Sequence, residues 1–177
     1  SISNSQRKPL PWCNWANTVY HGLPKDLYKF NAEPGKYLAF LGRVSPEKCP
    51  DQAIELAKRV GLPLKMAAKV DPADRAYFER VVEPLLDHPL VEFVGEITDA
   101  EKSDFIGNAI GLICPYDWPE PFGLVLIESL ACGTPVLAYR RGSIPEIIGH
   151  GVTGFISENL DEMVSQVAKL GTIDRHR

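Results

Sequence analysis

Arg43 and Lys48 are two cations close to Gly42, and together they suit the binding of a diphosphate. Gly42 ends an apolar run, Arg43 follows at once, and Lys48 stands at the start of the next helical pattern. A glycine at a strand end lets the backbone turn sharply and lets a ligand approach closely. Each cation contributes up to about 4 kcal/mol against a phosphate charge at about 4 Å and an effective dielectric of about 20, before desolvation. Taken alone, these residues fit solvated surface cations at least as well, with Lys48 beside Glu47.

Two glutamates, Glu120 and Glu128, stand on either side of the start of an apolar helical pattern. Glu120 lies in a proline-rich loop, and Gly123 falls in the predicted first turn, where backbone N–H groups have no partner within the helix. Such a terminus can receive an anion or sugar hydroxyls. Glu128 lies in an almost wholly apolar helix, where an unpaired charge is very unfavourable. Its partner is therefore either a pair of ligand hydroxyls or, as is commoner in proteins, a core arginine or a backbone N–H.

Apolar strand patterns alternate with helical patterns along most of the chain. The predicted strands cover residues 18–20, 36–41, 63–68, 91–94, 110–114, 135–139 and 154–156. The predicted helices cover residues 51–60, 74–86, 99–108, 122–132, 145–148 and 161–170, the third with a capping box at its start. Strands without polar alternation indicate a mostly parallel sheet with helices on both faces, that is, a doubly wound, Rossmann-like α/β fold. Ligands of such folds bind at the carboxyl ends of the strands.

Composition excludes several function classes. The 177 residues are 45% hydrophobic with a net charge of −4, which suits one domain and shows no basic stripe for nucleic acid. The dinucleotide turn G-x-G-x-x-G and the Walker pattern are absent, so NAD, FAD and P-loop chemistry are disfavoured. No spacing typical of a metal site occurs, and Cys114 and Cys132 are predicted to be buried thiols. No apolar run approaches the roughly 18 residues of a membrane span, and no signal peptide is visible, which favours a cytoplasmic protein.

The order of these strings resembles the C-terminal domain of family 4 glycosyltransferases, which are retaining enzymes of the GT-B architecture. The strongest part runs from Glu120 through Phe122, Gly123 and Leu124 to Glu128 and on to Val136. It is accompanied by residues 18–22, 40–43 with 47–48, 91–97, 142–146 and 151–154. Each piece alone is common, but their joint occurrence in order is specific.

The resemblance implies a role for each candidate residue. Arg43 and Lys48 match the pair that holds the donor diphosphate, and with Glu120 they are the implied catalytic residues. Glu120 and Glu128 match the two glutamates of the family's motif, the first contacting the transferred sugar and the second the ribose hydroxyls. The implied donor site is completed by Gly42, by the turn Gly95, Glu96 and Ile97 against the base, and by backbone amides near Phe122, Gly123 and Leu124. Metal and other cofactors are not implied.

The resemblance also predicts what the chain lacks. Residues 1–16 are interpreted as an interdomain linker remnant and residues 17–177 as the nucleotide-sugar-binding domain. The N-terminal acceptor domain is expected to be absent from this chain. Peripheral membrane association, if any, is expected only through that domain. No histidine here matches a catalytic base. Cys49 and Ala68 stand where the family usually has glycine.

The predicted function is transfer of a hexose from a nucleotide diphosphate sugar, UDP-sugar favoured, to an unknown acceptor. The alternatives are a stand-alone nucleotide-sugar-binding module or half of a GT-B epimerase or phosphorylase.

Overall fold

The computed structural model describes residues 1–33 and 35–177, and a single parallel sheet organises them. Its six strands lie in the order β3-β2-β1-β4-β5-β6. The strands are β1 Tyr37–Arg43, β2 Leu64–Lys69, β3 Val91–Gly95, β4 Ala109–Cys114, β5 Val136–Tyr139 and β6 Gly154–Ser157. All pairings are parallel, and the strand order reverses between β1 and β4. The doubly wound, Rossmann-like α/β fold predicted from the sequence is therefore confirmed.

Helices cover both faces of this sheet. They are α1 Pro50–Val60, α2 Arg75–Tyr77, α3 Glu83–Leu86, α4 Asp99–Gly107, α5 Leu124–Ala131, α6 Ile144–Ile147 and α7 Leu160–Val167, with a π-helical segment Phe78–Val82 joining α2 to α3. Right-handed crossovers place α1 on one face and α4 and α5 on the other, because the strand order reverses between them. α7 packs against α1.

The core explains why the strands read as unbroken apolar runs. Side chains from both faces of the central strands are fully buried, among them Leu38 and Phe40 of β1, Met66 of β2 and Leu112 of β4. Burying a side chain of this size contributes roughly 1.5–3 kcal/mol. Six of the seven predicted strands and five of the six predicted helices are present, with ends shifted by a few residues. The helix predicted over residues 74–86 is divided into α2 and α3 by the π-helical segment.

Two differences from the sequence-based expectation have physical causes. Residues 18–20 form no strand: Val19 is 71% exposed, and the segment lies on the surface instead of joining the sheet. Helix α5 begins at Leu124 and not at Phe122, because Gly123 has φ +84°, a left-handed conformation that cannot continue a right-handed helix.

Two further predictions concern the burial of cysteine thiols and the presence of membrane-spanning helices. Cys114 and Cys132 are buried thiols, as expected, and burial raises the pKa of Cys114 to about 12. Within residues 1–33 and 35–177, no helix has both the length and the apolar character needed to cross a membrane.

Candidate donor site

A cavity of about 320 Å³ opens at the carboxyl ends of β1, β2 and β3, beside the start of α5. Its walls are apolar near the strands, where Leu41, Ala67 and Ala68 lie, and charged at the rim. The remaining lining residues are Gly42, Lys69, Glu96, Ile97, Lys102, Leu124, Val125 and Glu128. This is the edge at which doubly wound sheets bind ligands.

The loop after β1 meets the loop after β4 next to this cavity. The backbone N–H of Asp117 donates to the carbonyl of Glu47 at 3.0 Å, which joins the two loops across the point where the strand order reverses. Lys48 Nζ then donates to Glu120 Oε2 at 2.6 Å. Their side chains are only 15% and 9% exposed, so this is a largely buried ion pair. The sequence predicted both residues for one ligand, and the fold places them in contact.

Aromatic residues complete the surroundings of that pair. Trp118 Nε1 donates to the same Glu120 oxygen at 2.9 Å, and the Lys48 ammonium lies 3.8 Å from the centre of the Tyr116 ring. A cation over an aromatic face is attracted by about 0.5–2 kcal/mol. Tyr116 is itself buried, and burial raises the pKa of its hydroxyl well above the usual value, so it stays neutral.

The loop carrying Glu120 is fixed by close backbone packing. Gly142 has φ +57°, and a Cβ there would lie 2.3 Å from the backbone N and O of Glu120. The Ser143 N–H donates to the Glu120 carbonyl at 2.9 Å, and the Ser143 hydroxyl donates to the Phe122 carbonyl at 2.8 Å. Gly123 then turns the chain into α5. A residue larger than glycine at position 142 would push the Glu120 loop out of place.

Arg43 takes different partners from Lys48. Its guanidinium lies 3.2 Å from Glu47 and 3.7 Å from Asp71, and Asp71 also pairs with Lys69 at 3.4 Å. The Arg43 side chain is 52% exposed, so these pairs are weak and easily exchanged. A diphosphate at this rim would have to compete with two carboxylates for Arg43.

The partner of Glu128 is a lysine that the sequence reasoning did not single out. Lys102 Nζ of α4 lies 3.2 Å from Glu128 Oε1 and 2.9 Å from Asp99 Oδ1. Burial lowers the pKa of Lys102, but Asp99 and Glu128 outweigh it and raise the pKa above its usual range. Glu128 therefore has a side-chain cation, and a ligand is not required to explain its burial. Of the alternatives that the sequence left open, a buried cation is therefore the one present, although it is a lysine and not an arginine.

Lys102 had a detectable signal in the sequence. It precedes the buried Phe105 and Ile106 by three and four residues, so it occupies the apolar stripe of α4. A cation on the apolar stripe of α4 and a carboxylate within the apolar helix α5 are both unusual. Their joint occurrence in the sequence could have predicted that they form a pair.

The residue after Lys48 carries backbone strain. Cys49 has φ +48° and ψ +51°, and it is the one non-glycine with positive φ among the described residues. Its thiol is buried and donates to the Pro46 carbonyl at 3.1 Å. Glycine adopts the left-handed conformation without a Cβ clash, whereas other residues are disfavoured by roughly 1–2 kcal/mol. The chain therefore makes the turn directly after Lys48 at this conformational cost.

The N-terminal residues dock beside the Glu120 loop through Glu146 of α6. Its carboxylate accepts from the N–H groups of Asn4 and Ser5, at 2.8 and 2.7 Å, and from the Tyr20 hydroxyl at 2.9 Å. The rings of Tyr20 and His21 contact Phe122, with centroid distances of 6.1 and 5.0 Å. The Phe122 ring is thus packed against this segment, and Phe122 is not among the residues that line the cavity.

The fold gathers the predicted donor residues in two groups. Gly42, Glu96, Ile97, Leu124 and Glu128 line the cavity, and the left-handed Gly95 turns β3 toward it. Lys48, Glu120, Phe122 and Gly123 lie in the adjoining loops, and Arg43 follows Gly42 at the rim. Within the part of the chain that is described, no three His, Cys, Asp or Glu side chains cluster as metal ligands do.

Comparison with known proteins shows the family to which the chain belongs. Residues 27–174 match the family model described as glycosyl transferases group 1. The D-inositol 3-phosphate glycosyltransferase of Mycobacterium marinum is 30% identical over 129 residues, covering 71% of this chain and 28% of the relative. An uncharacterised glycosyltransferase of Methanocaldococcus jannaschii is 27% identical over 163 residues, covering 89% of this chain and 44% of the relative. The chain therefore spans less than half the length of these curated relatives.

Solved structures share the fold. Sucrose-phosphate synthase from Thermosynechococcus elongatus superposes with a TM-score of 0.82 at 21% identity, covering 99% of this chain and 49% of that one. Anabaena HepE, solved in complex with UDP and glucose, superposes with a TM-score of 0.76 at 21% identity, covering 86% of this chain and 46% of that one. The family match extends over most of the chain, and the chain belongs to the glycosyl transferases group 1 family.

Proposed function

We propose that this chain is the donor-binding half of a retaining hexosyltransferase, and that its donor is a nucleotide diphosphate sugar, most readily a UDP-sugar. The observation that carries the proposal is the Lys48–Glu120 pair, which stands between the start of α5 and the loop after β1, next to a cavity of about 320 Å³. The cavity gives the nucleoside an apolar wall, and the adjoining cations and helix terminus suit its diphosphate.

The proposed roles follow from these positions. The base lies against Glu96 and Ile97, and the ribose lies against Glu128. The diphosphate lies near Arg43, Lys48 and the backbone N–H groups at Gly123 and Leu124. The transferred sugar then meets Glu120. When the bond from the anomeric carbon to the diphosphate breaks, the electron pair leaves with the diphosphate, and the cations stabilise the charge that develops there. That stabilisation is this half's contribution to the barrier.

Solved proteins of the same fold support the uridine preference. HepE is described in complex with UDP and glucose and with UDP-glucose, and its fold is shared by this chain. We propose that binding needs no metal ion, since two cations and a helix terminus already face the diphosphate position. We also propose that residues 1–16 are a remnant of an interdomain linker and that a cytoplasmic N-terminal partner domain supplies the acceptor site.

A panel of UDP, GDP and ADP and their glucose conjugates tests this function in the presence of excess EDTA. A ligand at about 100 times its dissociation constant stabilises a fold by about 2.7 kcal/mol, which thermal unfolding detects easily. The account expects the largest rise with UDP and UDP-glucose and no further rise with added magnesium. The chain alone is expected to transfer no sugar, because the proposal assigns the positioning of the acceptor to the partner domain. Absence of any nucleotide effect would contradict the proposal.

A further inference from the structure

The contact between Lys102 and Glu128 links two helices at the cavity wall. Lys102 belongs to α4 and Glu128 to α5, and both side chains line the cavity. Their exposed fractions are 22% and 10%, so the pair is shielded from water on most sides. A shielded pair of this kind holds its geometry better than an exposed one, whose contribution is close to nothing.

Lys102 is also anchored from behind. Asp99, one turn earlier on α4, lies 2.9 Å from the same ammonium. The helix itself starts at a capping box in which the Glu101 carboxylate accepts from the Thr98 N–H at 2.8 Å and from its hydroxyl at 2.7 Å. The ammonium is thus fixed between a carboxylate on its own helix and Glu128 across the gap.

The other groups that face the Glu128 carboxylate are neutral. Tyr28 lies against it, and the pKa of Tyr28 is raised by burial and then by Glu128. The charge of Glu128 also acts on Tyr116 and on the Cys132 thiol, and burial, with that charge, raises the pKa of both, so both stay protonated. Among the described contacts, Lys102 is therefore the cation that compensates this carboxylate.

We propose that Lys102 is a positioning residue that holds the Glu128 carboxylate at the cavity wall, so that Glu128 can distinguish a ribose from a 2′-deoxyribose. The inference rests on the proposed function, because it takes the ligand to be a nucleoside diphosphate. A carboxylate offers about four lone-pair positions, and Lys102 uses one on Oε1. The Tyr28 hydroxyl donates to a second position, and the remaining positions are available to the 2′- and 3′-hydroxyls of the donor ribose.

Removing the ammonium would undo this arrangement. A shielded carboxylate without a counter-ion is unfavourable, so it would turn toward water or be neutralised. In either case it would no longer stand ready to accept from both ribose hydroxyls. The loss would appear in how ribose is recognised, and not only in how tightly the nucleotide binds.

The test compares UDP with 2′-deoxy-UDP by calorimetry on the purified chain. The variants are Lys102→Met, Lys102→Arg as the conservative rescue, and Lys65→Met as the matched control. Lys65 also pairs with one glutamate, Glu92 at 2.9 Å, but it does not line this cavity. Circular dichroism and thermal unfolding check that each variant folds, and Lys102→Gln replaces the Met variant if that one does not.

The ratio of the two dissociation constants is the readout. The unchanged chain and Lys65→Met are expected to bind 2′-deoxy-UDP about tenfold more weakly than UDP, the equivalent of one charge-assisted hydrogen bond. In Lys102→Met the ratio should fall below about threefold, and Lys102→Arg should restore most of it. A purely structural role would weaken both ligands equally and keep the ratio.

Each contrary outcome has one meaning. If the unchanged chain binds UDP and Lys102→Met keeps its ratio, or if the unchanged chain does not discriminate between the two ligands, the role of Lys102 is wrong while the proposed function stands. If the unchanged chain binds no nucleoside diphosphate, the proposed function fails and this inference fails with it.

Discussion

Lys48 Nζ lies 2.6 Å from Glu120 Oε2, so the cation that we assign to the diphosphate and the carboxylate that we assign to the sugar are bonded to each other. In this ion pair each charge compensates the other, and the contact fixes the distance between the two groups. A donor that binds here must share or exchange these partners. The pair therefore affects both the stability of the fold and the binding of the ligand, and the two effects can be separated by mutation.

The first prediction concerns stability. Lys48→Met leaves the shielded Glu120 carboxylate without its cation, and breaking one partner of a buried pair costs about 3–5 kcal/mol. Trp118 still donates to Glu120, so we expect the lower end of that range, about 3 kcal/mol. The double variant Lys48→Met, Glu120→Gln should recover most of the loss, because it leaves no unpaired charge. Chemical unfolding of the unchanged chain, Lys48→Met, Glu120→Gln and the double variant gives the coupling free energy between the two residues. A double variant that loses as much stability as the two single variants together would refute the pairing.

The second prediction separates the two glutamates. Glu120→Gln should retain or raise UDP affinity, since Lys48 is released to the diphosphate, while UDP-glucose loses its added affinity. Glu128→Gln should weaken UDP and UDP-glucose alike, because ribose is common to both, by about 1.5–3 kcal/mol. Calorimetry with both ligands on both variants measures this. Equal losses of both ligands in Glu120→Gln, or no loss in Glu128→Gln, would show that the assignments are wrong.

The third prediction concerns the strained turn after Lys48. Cys49→Gly and Cys49→Ala both remove the thiol, but only glycine relieves the left-handed strain at φ +48°. We expect Cys49→Gly to be more stable than Cys49→Ala by about 1 kcal/mol. Ala53→Gly in α1 is the control, and it should lose more than about 1 kcal/mol, because its backbone is helical and its methyl group is fully buried. Denaturant unfolding decides, and equal stability of the two Cys49 variants would mean that the turn carries no strain.

The fourth prediction concerns pH and the docked N-terminal segment. Burial raises the pKa of Glu146, but donors on Asn4, Ser5 and Tyr20 outweigh it and hold the pKa below its usual range. A depressed pKa means that the stabilisation is complete above the unfolded value, about 4.3, and is lost as the pH falls through the folded value. Acid should therefore release residues 1–20 from α6.

Hydrogen exchange of the Asn4 and Ser5 amides, corrected for the intrinsic rate at each pH, measures this release. Protection should be complete at neutral pH and fall as the pH drops below the unfolded value, about 4.3. In Glu146→Gln it should be weaker at neutral pH and should not depend on pH in this way. Glu55→Gln, an exposed position on α1, should behave as the unchanged chain. Full protection in Glu146→Gln would contradict the role of this carboxylate.

The sequence predicted the sheet well because each buried strand is an apolar run that ends at a clear signal, such as Gly42 or Pro115. It was wrong about residues 18–20 because a short apolar run does not reveal whether a neighbouring strand is available. It predicted that Glu128 needs a partner but not which one, since Lys102 lies 26 residues away in sequence and only the packing of α4 on α5 brings the two together. It also placed Arg43 and Lys48 at one edge, whereas their present partners depend on loop geometry that spacing does not encode.

The central claim is that Arg43 and Lys48 hold a diphosphate at the edge of this sheet, and calorimetric titration of UDP in excess EDTA tests it most directly. The variants are Arg43→Ala and Lys48→Ala, with Arg59→Ala as control. Arg59 lies near the C-terminal end of α1 and pairs with Asp161 of α7. The account predicts that UDP binds the unchanged chain and Arg59→Ala equally, and that each site variant loses about 1.5–3 kcal/mol of binding free energy. Unchanged UDP affinity in both site variants would contradict it.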